Sequence, residues 1–409
     1  MDGSGKPVQD RDAALVAAYD GPPDYRVVGR HGVFPDMTHD EIERFNFLAH
    51  MNRHLAGRVM PAVKNAFETR VAPGQVFTDR HQVRRALVKD PYWQLWSALR
   101  RNTMEMRQQA GRWVTLRQQE ELAARVAALT DGDPRLVLDP NLVLPRYVSS
   151  IDHHCMPGSY HTEYGPGDVA NAANYDSGLF ATTGGMLGRY SDGGGQAVAR
   201  WVARNLPDFK PRRILDMGCG LGHNVLPIAQ AFPDAEIVAV DVGAPMLRYG
   251  LARAKSLGVE NVTFVQANVE SLPHFADGRF DWVQTTMFLH ETSYSSMQRI
   301  FKETHRLLAP GGIVLHVEQP QYSPAMPLFE QAMRDWDAFY NAEPFWTKMH
   351  EADLDAWMVQ AGFTKESLIH GGVTAVVDKS VFPDAAEDSG EDYGRKAAWH
   401  VVGARKEGV

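Results

Sequence analysis

The stretch Arg213-Ile214-Leu215-Asp216-Met217-Gly218-Cys219-Gly220-Leu221-Gly222-His223-Asn224 restricts this chain more than any other. It reads as a buried strand ending in a carboxylate, a tight turn, and the start of a helix running on to Ala231. Glycines at Gly218, Gly220 and Gly222 let a ligand lie against bare backbone, whose N–H groups point outward at a helix N-terminus. Asp216 can accept hydrogen bonds from a cationic donor, so the turn suits a ligand carrying both an ammonium and a carboxylate. Two nucleotide patterns fail here. The dinucleotide fingerprint G-x-G-x-x-G would place its third glycine at His223, and the phosphate loop needs a Gly-Lys-Ser/Thr end, with no lysine near.

Downstream of Gly195 the hydrophobic pattern alternates between helix and strand. Strands are expected at Arg213–Met217, Glu236–Val240 (ending in Asp241), Val262–Gln266, Phe280–Thr286, Ile313–Val317, Lys365–His370 and Ala397–Val402. Short apolar strands alternating with helices predict an α/β fold: a Rossmann-like doubly wound, mostly parallel seven-stranded sheet, covered on both faces, with ligands at the carboxyl ends of its strands. Residues 319–349 break the alternation with an aromatic-rich helix, Met326–Tyr340, and Pro344-Phe345-Trp346, a cap-like insertion. Upstream the pattern is helical. Thr38 with Glu41 has capping-box spacing, Asp90-Pro91 is an N-cap and N1 pair, Thr115 with Gln118 opens another helix, and Pro61 should kink the first. The expected organisation is a flexible arm over 1–36, an all-α N-terminal domain over 37–132, a connector over 133–193 contributing to the active site, and the sheet domain over 194–409.

A chain of 409 residues is too long for one ordinary core. The formal charge of -8 gives no overall pull toward nucleic acid or anionic membrane. The basic run from Arg80 to Arg117 reads as a solvated face, with an anion-binding or homodimer contact as its functional alternative. Cys155 and Cys219 lie in different regions, so no disulfide framework is expected. Met1 to Tyr25 shows no signal peptide, no stretch approaches the roughly 18 apolar residues of a membrane span, and a cytoplasmic protein is expected. The connector holds Asp152-His153-His154-Cys155 and His161, while His50 and His54 stand four apart on a helix. No glutamate completes a His-Glu-x-x-His motif, and adjacent loop histidines usually point apart. Metal is therefore not expected, and His153, His154, Tyr160 and His161 are read as substrate contacts.

The Asp-x-Gly-x-Gly-x-Gly turn resembles motif I of the class I S-adenosylmethionine (SAM)-dependent methyltransferases. Gln266 to Pro273, Phe280 to His290 and Arg306 to Gly312 resemble three further motifs of that family in order, with Asn268 where an aspartate is common. The resemblance implies SAM as cofactor: Gly218, Cys219, Gly220, Gly222 and Asn224 along the methionine and ribose, Asp216 at the ammonium, and Asp241 at the ribose. It further implies Val242 and Met246 beside the adenine, Asn268 and Val269 reading its edge, Thr285 at the methionine end, and Tyr175 closing over it. His290 and Glu291, just beyond the fourth strand, face the transferable methyl in this family, and Glu318 is a second candidate base. Trp336, Tyr340 and Trp346 would give the acceptor pocket an apolar wall. The implied reaction is methyl transfer to a small-molecule acceptor, at a hydroxyl or carboxyl oxygen first and a thiol second. The alternatives are an RNA or protein methyltransferase using the basic helices, and a SAM-binding module without turnover. Neither nucleic acid nor membrane is expected as a partner, and a homodimer is left open.

Overall fold

The computed structural model describes residues 21–383, 391–392, 395–396 and 399–408. Its frame is an eight-stranded sheet in the order β1-β4-β3-β2-β5-β6-β10-β7. The strands are β1 (Leu136–Val137), β2 (Arg213–Met217), β3 (Glu236–Asp241), β4 (Val262–Gln266), β5 (Phe280–Thr286), β6 (Leu308–Glu318), β7 (Leu368–Val373) and β10 (Trp399–Arg405). A separate two-residue pair joins β8 (Glu391–Asp392) to β9 (Arg395–Lys396). Strands β1 to β6 pair in parallel, and β10 runs antiparallel to both β6 and β7. The eighth strand is β1, which adds to the edge of β4 through Leu136↔Phe264. The apolar run Leu136-Val137-Leu138 reads as a short extended segment in the sequence, and its first two residues join the sheet. The last strand, expected from Ala397, is described from Trp399 on, and 397–398 lie outside the described residues.

Both faces of the sheet are buried because successive strand residues feed opposite cores. Ile214, Ile237 and Ala239 join one cluster, while Leu215, Met217, Val238 and Val240 join the other. Such near-continuous apolar strands are what a doubly covered parallel sheet requires. From β2 the chain winds outward through β3 and β4 and then returns to β5 on the opposite side of β2. The crevice at that reversal opens beyond the carboxyl end of β2, where the glycine turn lies.

The helices before the sheet are α1 (His39–His54), α2 (Met60–Ala66), α3 (Arg80–Leu87), α4 (Pro91–Leu116) and α5 (Gln119–Thr130). Thr38 and Glu41 close the capping box, and Asp90 accepts from the backbone N–H groups of Tyr92 and Trp93. Pro61 does not break the helical course. A π-turn over Leu55–Val59 precedes it, so the widened backbone accommodates the missing donor. Thr115 does not open a helix, since it lies in the last turn of α4, and Gln118 precedes α5 without a side-chain cap.

The expected flexible arm is corrected over its described part, and the connector keeps its bounds. Residues 21–36 are not a loose arm: Tyr25, Val28 and Phe34 are buried with Phe45, Leu48 and Phe180, and the Tyr25 hydroxyl donates to Ser177 O. Residues 1–20 lie outside the described residues. The connector, in turn, is less a spacer than a part of the core. It holds α6 (Arg146–Ser149) and α7 (Ala170–Thr183), and α7 packs against α1 and α4. That packing is close because glycine meets a polar side chain from each side. A Cβ at Gly178 would sit 2.2 Å from Arg107 Nε, and one at Gly111 would sit 1.8 Å from Asn174 Oδ1.

After α7 come α8 (Gly193–Asn205), α9 (Val225–Ala231), α10 (Ala244–Ser256) and α11 (Tyr294–Leu307), then α12 (Leu328–Arg334), α13 (Trp336–Tyr340), α14 (Trp346–Glu351) and α15 (Leu354–Ala361). The insertion after β6 lays α12 and α13 onto the N-terminal helices. There Trp336 packs against Trp96 and donates its indole N–H to Ser97. The basic run also finds its partners. Arg80 pairs with Asp335 and Glu351, Arg100 with Asp337, Arg101 with Glu105, and Arg117 with Glu41. The solvated face expected there is thus largely a seam between α3, α4 and the insertion. Among the described residues, no helix is long and apolar enough to cross a membrane.

Candidate active site

A cavity of about 260 Å³ opens at the carboxyl ends of the parallel strands. Gly218 to Leu221 after β2, Asp241 and Val242 at the end of β3, Ala267 to Val269 after β4, Thr286 to Phe288 at the end of β5 and Gln319 after β6 all line it. The backbone of the glycine turn takes left-handed values, φ 76° at Gly218, 53° at Gly220 and 93° at Gly222, which residues with a Cβ rarely adopt. Each glycine serves a different neighbour. A Cβ at Gly218 would sit 2.1 Å from the ring of Phe288, and one at Gly222 would press on Leu226, between turn and helix. A Cβ at Gly220 would meet nothing within 4 Å, so the space above it is open to a ligand.

Asp241 ties the floor together. Its carboxylate accepts from Gly220 N at 2.9 Å and from Gly243 N at 2.8 Å, linking the first two βα turns. Burial pushes this carboxyl up, and the N–H donors offset only part of that push. Asn268 forms an Asx turn with Glu270 N (3.0 Å), so its oxygen has one lone pair left for an incoming amine. Val242, Met246 and Val269 add apolar wall beside it.

Cys219, Asn224 and Tyr175 line the cavity as expected, and three expected cofactor contacts do not. Asp216 is buried beneath the turn, where burial and the charge of Asp241 push its carboxyl well above the usual range. Gly222 serves helix packing. Thr285 points into the layer behind the sheet, where its hydroxyl meets His316 Nδ1 at 2.9 Å. Successive strand residues face opposite ways, so Thr286 is the residue that faces the cavity.

The end of β5 turns sharply, with Met287 at φ 53°. His290 follows, buried on the cavity wall, with Nδ1 2.7 Å from Glu318 Oε2. The other oxygen of Glu318 accepts from Phe288 N and Leu289 N at 2.7 and 2.6 Å. Glu318 is therefore not the free base the sequence allowed. It does not line the cavity, and both its oxygens are used in positioning the turn and the imidazole. Burial disfavours a charged His290, but Glu318 first, with Glu291 and Glu343, offsets it and holds the ring above its ordinary pKa. Trp346 packs on this imidazole with ring centroids 4.3 Å apart.

Glu291 does line the cavity, though not as a free carboxylate. Its Oε1 accepts from the Tyr160 hydroxyl at 2.8 Å and lies 3.3 Å from His154 Nε2, and His154 Nδ1 lies 2.9 Å from Glu343 Oε1. Against burial, Glu343 and Glu291 raise the His154 imidazole well above its ordinary value, and the histidines, His154 first, hold Glu291 well below. His153 also lines the cavity, with Nδ1 3.1 Å from Ser159 Oγ.

Four of the expected acceptor contacts, His153, His154, Tyr160 and Trp346, come together, and three do not. His161 is not at the cavity, while Trp336 and Tyr340 are spent in the seam with Trp96 and Trp93. Many of the residues that sequence reasoning missed come from the helices, among them Asn52 of α1, Arg100, Met104 and Arg107 of α4, and Thr182 and Thr183 of α7, while Thr286 and Gln319 come from strand ends. One signal was available for α4. Thr103, Arg107 and Gln108 are polar residues inside a buried stripe with Met104 and Gly111.

Comparison with known proteins decides the family. The family model of a methyltransferase domain matches residues 214–312. An uncharacterized methyltransferase of Synechocystis is 32% identical over 187 residues, 45% of this chain and 83% of that protein. The chain belongs to the class I SAM-dependent methyltransferases. Other relatives of this methyltransferase include a ubiquinone/menaquinone biosynthesis C-methyltransferase of Pseudomonas paraeruginosa, 32% identical over 40% of this chain and 70% of that protein. A demethylmenaquinone methyltransferase of Thermus thermophilus is 36% identical, and the match spans 30% of this chain and 56% of the Thermus protein. The solved phosphoethanolamine N-methyltransferase 2 of Haemonchus contortus, in complex with S-adenosyl-L-methionine, overlaps 57% of each chain at 20% identity and a TM-score of 0.39. The methyltransferase fold itself is read from the strand order above. SAM is compatible with the floor, where open space over Gly220, a carboxylate at Asp241 and an amide at Asn268 follow one another along the ends of β2, β3 and β4.

Proposed function

We propose that this methyltransferase transfers the SAM methyl group to an oxygen of a small acceptor held between the glycine turn, His290 and Trp346. The observation carrying this reading is the buried His290–Glu318 pair on the cavity wall. A neutral hydroxyl is a poor nucleophile until it loses its proton, and a histidine with one nitrogen fixed by a carboxylate offers the other as base. When bound, SAM supplies a sulfonium methyl, and sulfur keeps the electron pair of the carbon–sulfur bond as the oxygen–carbon bond forms. His290 takes the hydroxyl proton through Nε2, and Glu318 fixes the ring and balances its new charge. A carboxyl acceptor would need the positioning and not the base. A thiol would need less of the base too, and it stands second.

Two observations bear on the rivals. The ion pairs of Arg80, Arg100, Arg101 and Arg117 within the chain take away much of the basic face that an RNA or protein substrate would need. The relatives named as C-methyltransferases add a carbon acceptor as a further reading, because a base that ionises a phenol or enol also activates the adjacent carbon. A panel of phenols, alcohols, carboxylic acids and thiols with methyl-labelled SAM tests both, with NMR assigning the methylated atom. An O-methyl product is expected, and a C-methyl or S-methyl product alone would sink the oxygen assignment. His290→Ala should lower turnover about a hundredfold while leaving the SAM dissociation constant near wild type. Unchanged turnover would remove His290 from the reaction.

A further inference from the structure

Beside the methyl-transfer residues lies a second group of ligand-competent side chains. His154 comes from the connector, Glu291 from the turn after β5, and Glu343 from the segment between α13 and α14. One ligand atom from each, a ring nitrogen and two carboxylate oxygens, lie within 4.8 Å of one another. We infer that these three residues hold one divalent first-row metal ion, of the Mn²⁺ or Zn²⁺ kind, at the acceptor end of the cavity.

The charge balance points that way. Two carboxylates and a neutral imidazole match a 2+ ion. The Glu343 side chain has no accessible surface, and its Oε2 is buried without a hydrogen-bond partner, an expensive arrangement for an anion. The chain also carries local strain here. His154 and Cys155 sit at φ 52° and 57°, left-handed values that cost energy in residues with a Cβ. Around the three, the Tyr160 hydroxyl orients Glu291, and His154 N donates to Glu343 Oε1 at 3.2 Å, the outer contacts that metal ligands usually have. One nitrogen with two hard oxygens disfavours Cu(I), which wants sulfur, and Ca²⁺, which wants oxygen throughout. Three protein ligands leave coordination positions open on the cavity side. An acceptor presenting an anionic oxygen would fill one of them. That last role rests on the oxygen-acceptor reading, but the site does not.

The test needs no turnover. Chelator-treated wild-type protein is titrated calorimetrically with Mn²⁺ and, separately, with Zn²⁺, and SAM affinity is measured in its own titration. One saturable equivalent is expected, and pulsed electron paramagnetic resonance of bound Mn²⁺ should show coupling to imidazole nitrogen. Glu343→Gln and His154→Ala should each weaken metal binding at least about tenfold with SAM affinity kept, which also shows that the variants are folded. No saturable binding of either metal to the wild type overturns the inference. So does a Mn²⁺ site without nitrogen coupling, or metal affinity unchanged in both variants. Loss of SAM binding by the wild type would instead count against the cofactor site, with the metal result standing separately.

Discussion

The two sides of the cavity are built by different rules. On the cofactor side, Gly218, Gly220, Asp241, Val242, Asn268 and Val269 sit at three neighbouring strand ends and act largely through backbone and turn geometry. On the proposed acceptor side, Asn52, Arg100, His154, Thr183, His290 and Trp346 come from α1, α4, the connector, α7, the turn after β5 and α14. A side made of local turns leaves a local trace in the sequence. A side made by packing distant helices together leaves its trace only in the packing. Substitutions should therefore separate the two: damage on the first side should fall on SAM affinity, and damage on the second on folding or on the acceptor.

The largest effect is expected where sequence and structure disagree most. Trp336 was read as pocket wall, yet it is 1% exposed between Trp96 and Tyr340. Trp336→Ala should cost about 4 kcal/mol of stability in a urea titration, the usual price of removing a large core aromatic. Trp346→Ala should cost far less stability and instead raise KM for the acceptor, since its ring lies on His290 and lines the cavity. The reverse pattern would return Trp336 to the acceptor wall and break the contrast.

The buried Asp176 should give the next largest effect, because it joins the two sides. Its carboxylate meets His31 and His223 at 2.7 Å, accepts from the Tyr249 hydroxyl at 2.9 Å, and lies 3.9 Å from Arg253. Burial would raise Asp176, but His31, His223 and Arg253 together hold it well below its usual pKa, and burial lowers His223. Both shifts act in the same direction. The unfolded chain protonates a histidine from about pH 6.5 downward and an aspartate from about pH 4, so stability is full near neutrality and is lost on acidification. Urea midpoints should fall in two stages, first below about pH 6.5 and again below about pH 4. Asp176→Asn should remove the second stage and cost about 3 kcal/mol at pH 7, as the loss of one member of a buried charged group does. A midpoint that stays flat from pH 7 to pH 5 would show that His223 protonates freely in the folded protein.

His223 shows how far the sequence could be read. It was visible as the residue that breaks the dinucleotide pattern, but its partner Asp176 lies in a helix that the composition of the connector concealed. Helix α7 is rich in alanine with small polar residues between, and it shows no amphipathic stripe because it is buried nearly all round. Periodicity is legible only where one face meets water. The parallel strands were readable for the opposite reason: short apolar runs ending in Asp216 or Asp241 have few other uses. Thr285 marks the boundary of that legibility. The strand was placed correctly, yet its facing was off by one residue, which in a period of two exchanges cavity for interior.

Gly218 and Gly220 sharpen the comparison within the turn itself. Gly218→Ala forces a Cβ into the Phe288 ring at φ 76°, and that ring lines the cavity. SAM affinity should fall about a hundredfold, or about 2.7 kcal/mol. Gly220→Ala meets no protein atom within 4 Å, so beyond the roughly 1 kcal/mol strain of its left-handed backbone the fold should be kept while the Cβ occupies ligand space. A comparable loss of SAM affinity is expected by calorimetry. Normal binding by Gly220→Ala would mean that the ligand does not lie over this glycine.

The smallest effects should come from Asp241→Asn and Asn268→Asp, and the first asks whether a single carboxylate carries what the motif implies. The amide keeps one oxygen for Gly220 N or Gly243 N but turns its NH₂ toward the other donor, so one floor hydrogen bond is lost and a ribose hydroxyl meets a weaker acceptor. SAM affinity should drop about tenfold, near 1.4 kcal/mol, with acceptor KM unchanged. Asn268→Asp, which places the residue more common in the family at the adenine edge, should stay within about threefold of wild type, because either side chain presents an oxygen to an amine. A shift in acceptor KM from Asp241→Asn would show the floor and the distant helices to be coupled. The cofactor side would then owe its shape to the same long-range packing that hides the acceptor side from the sequence.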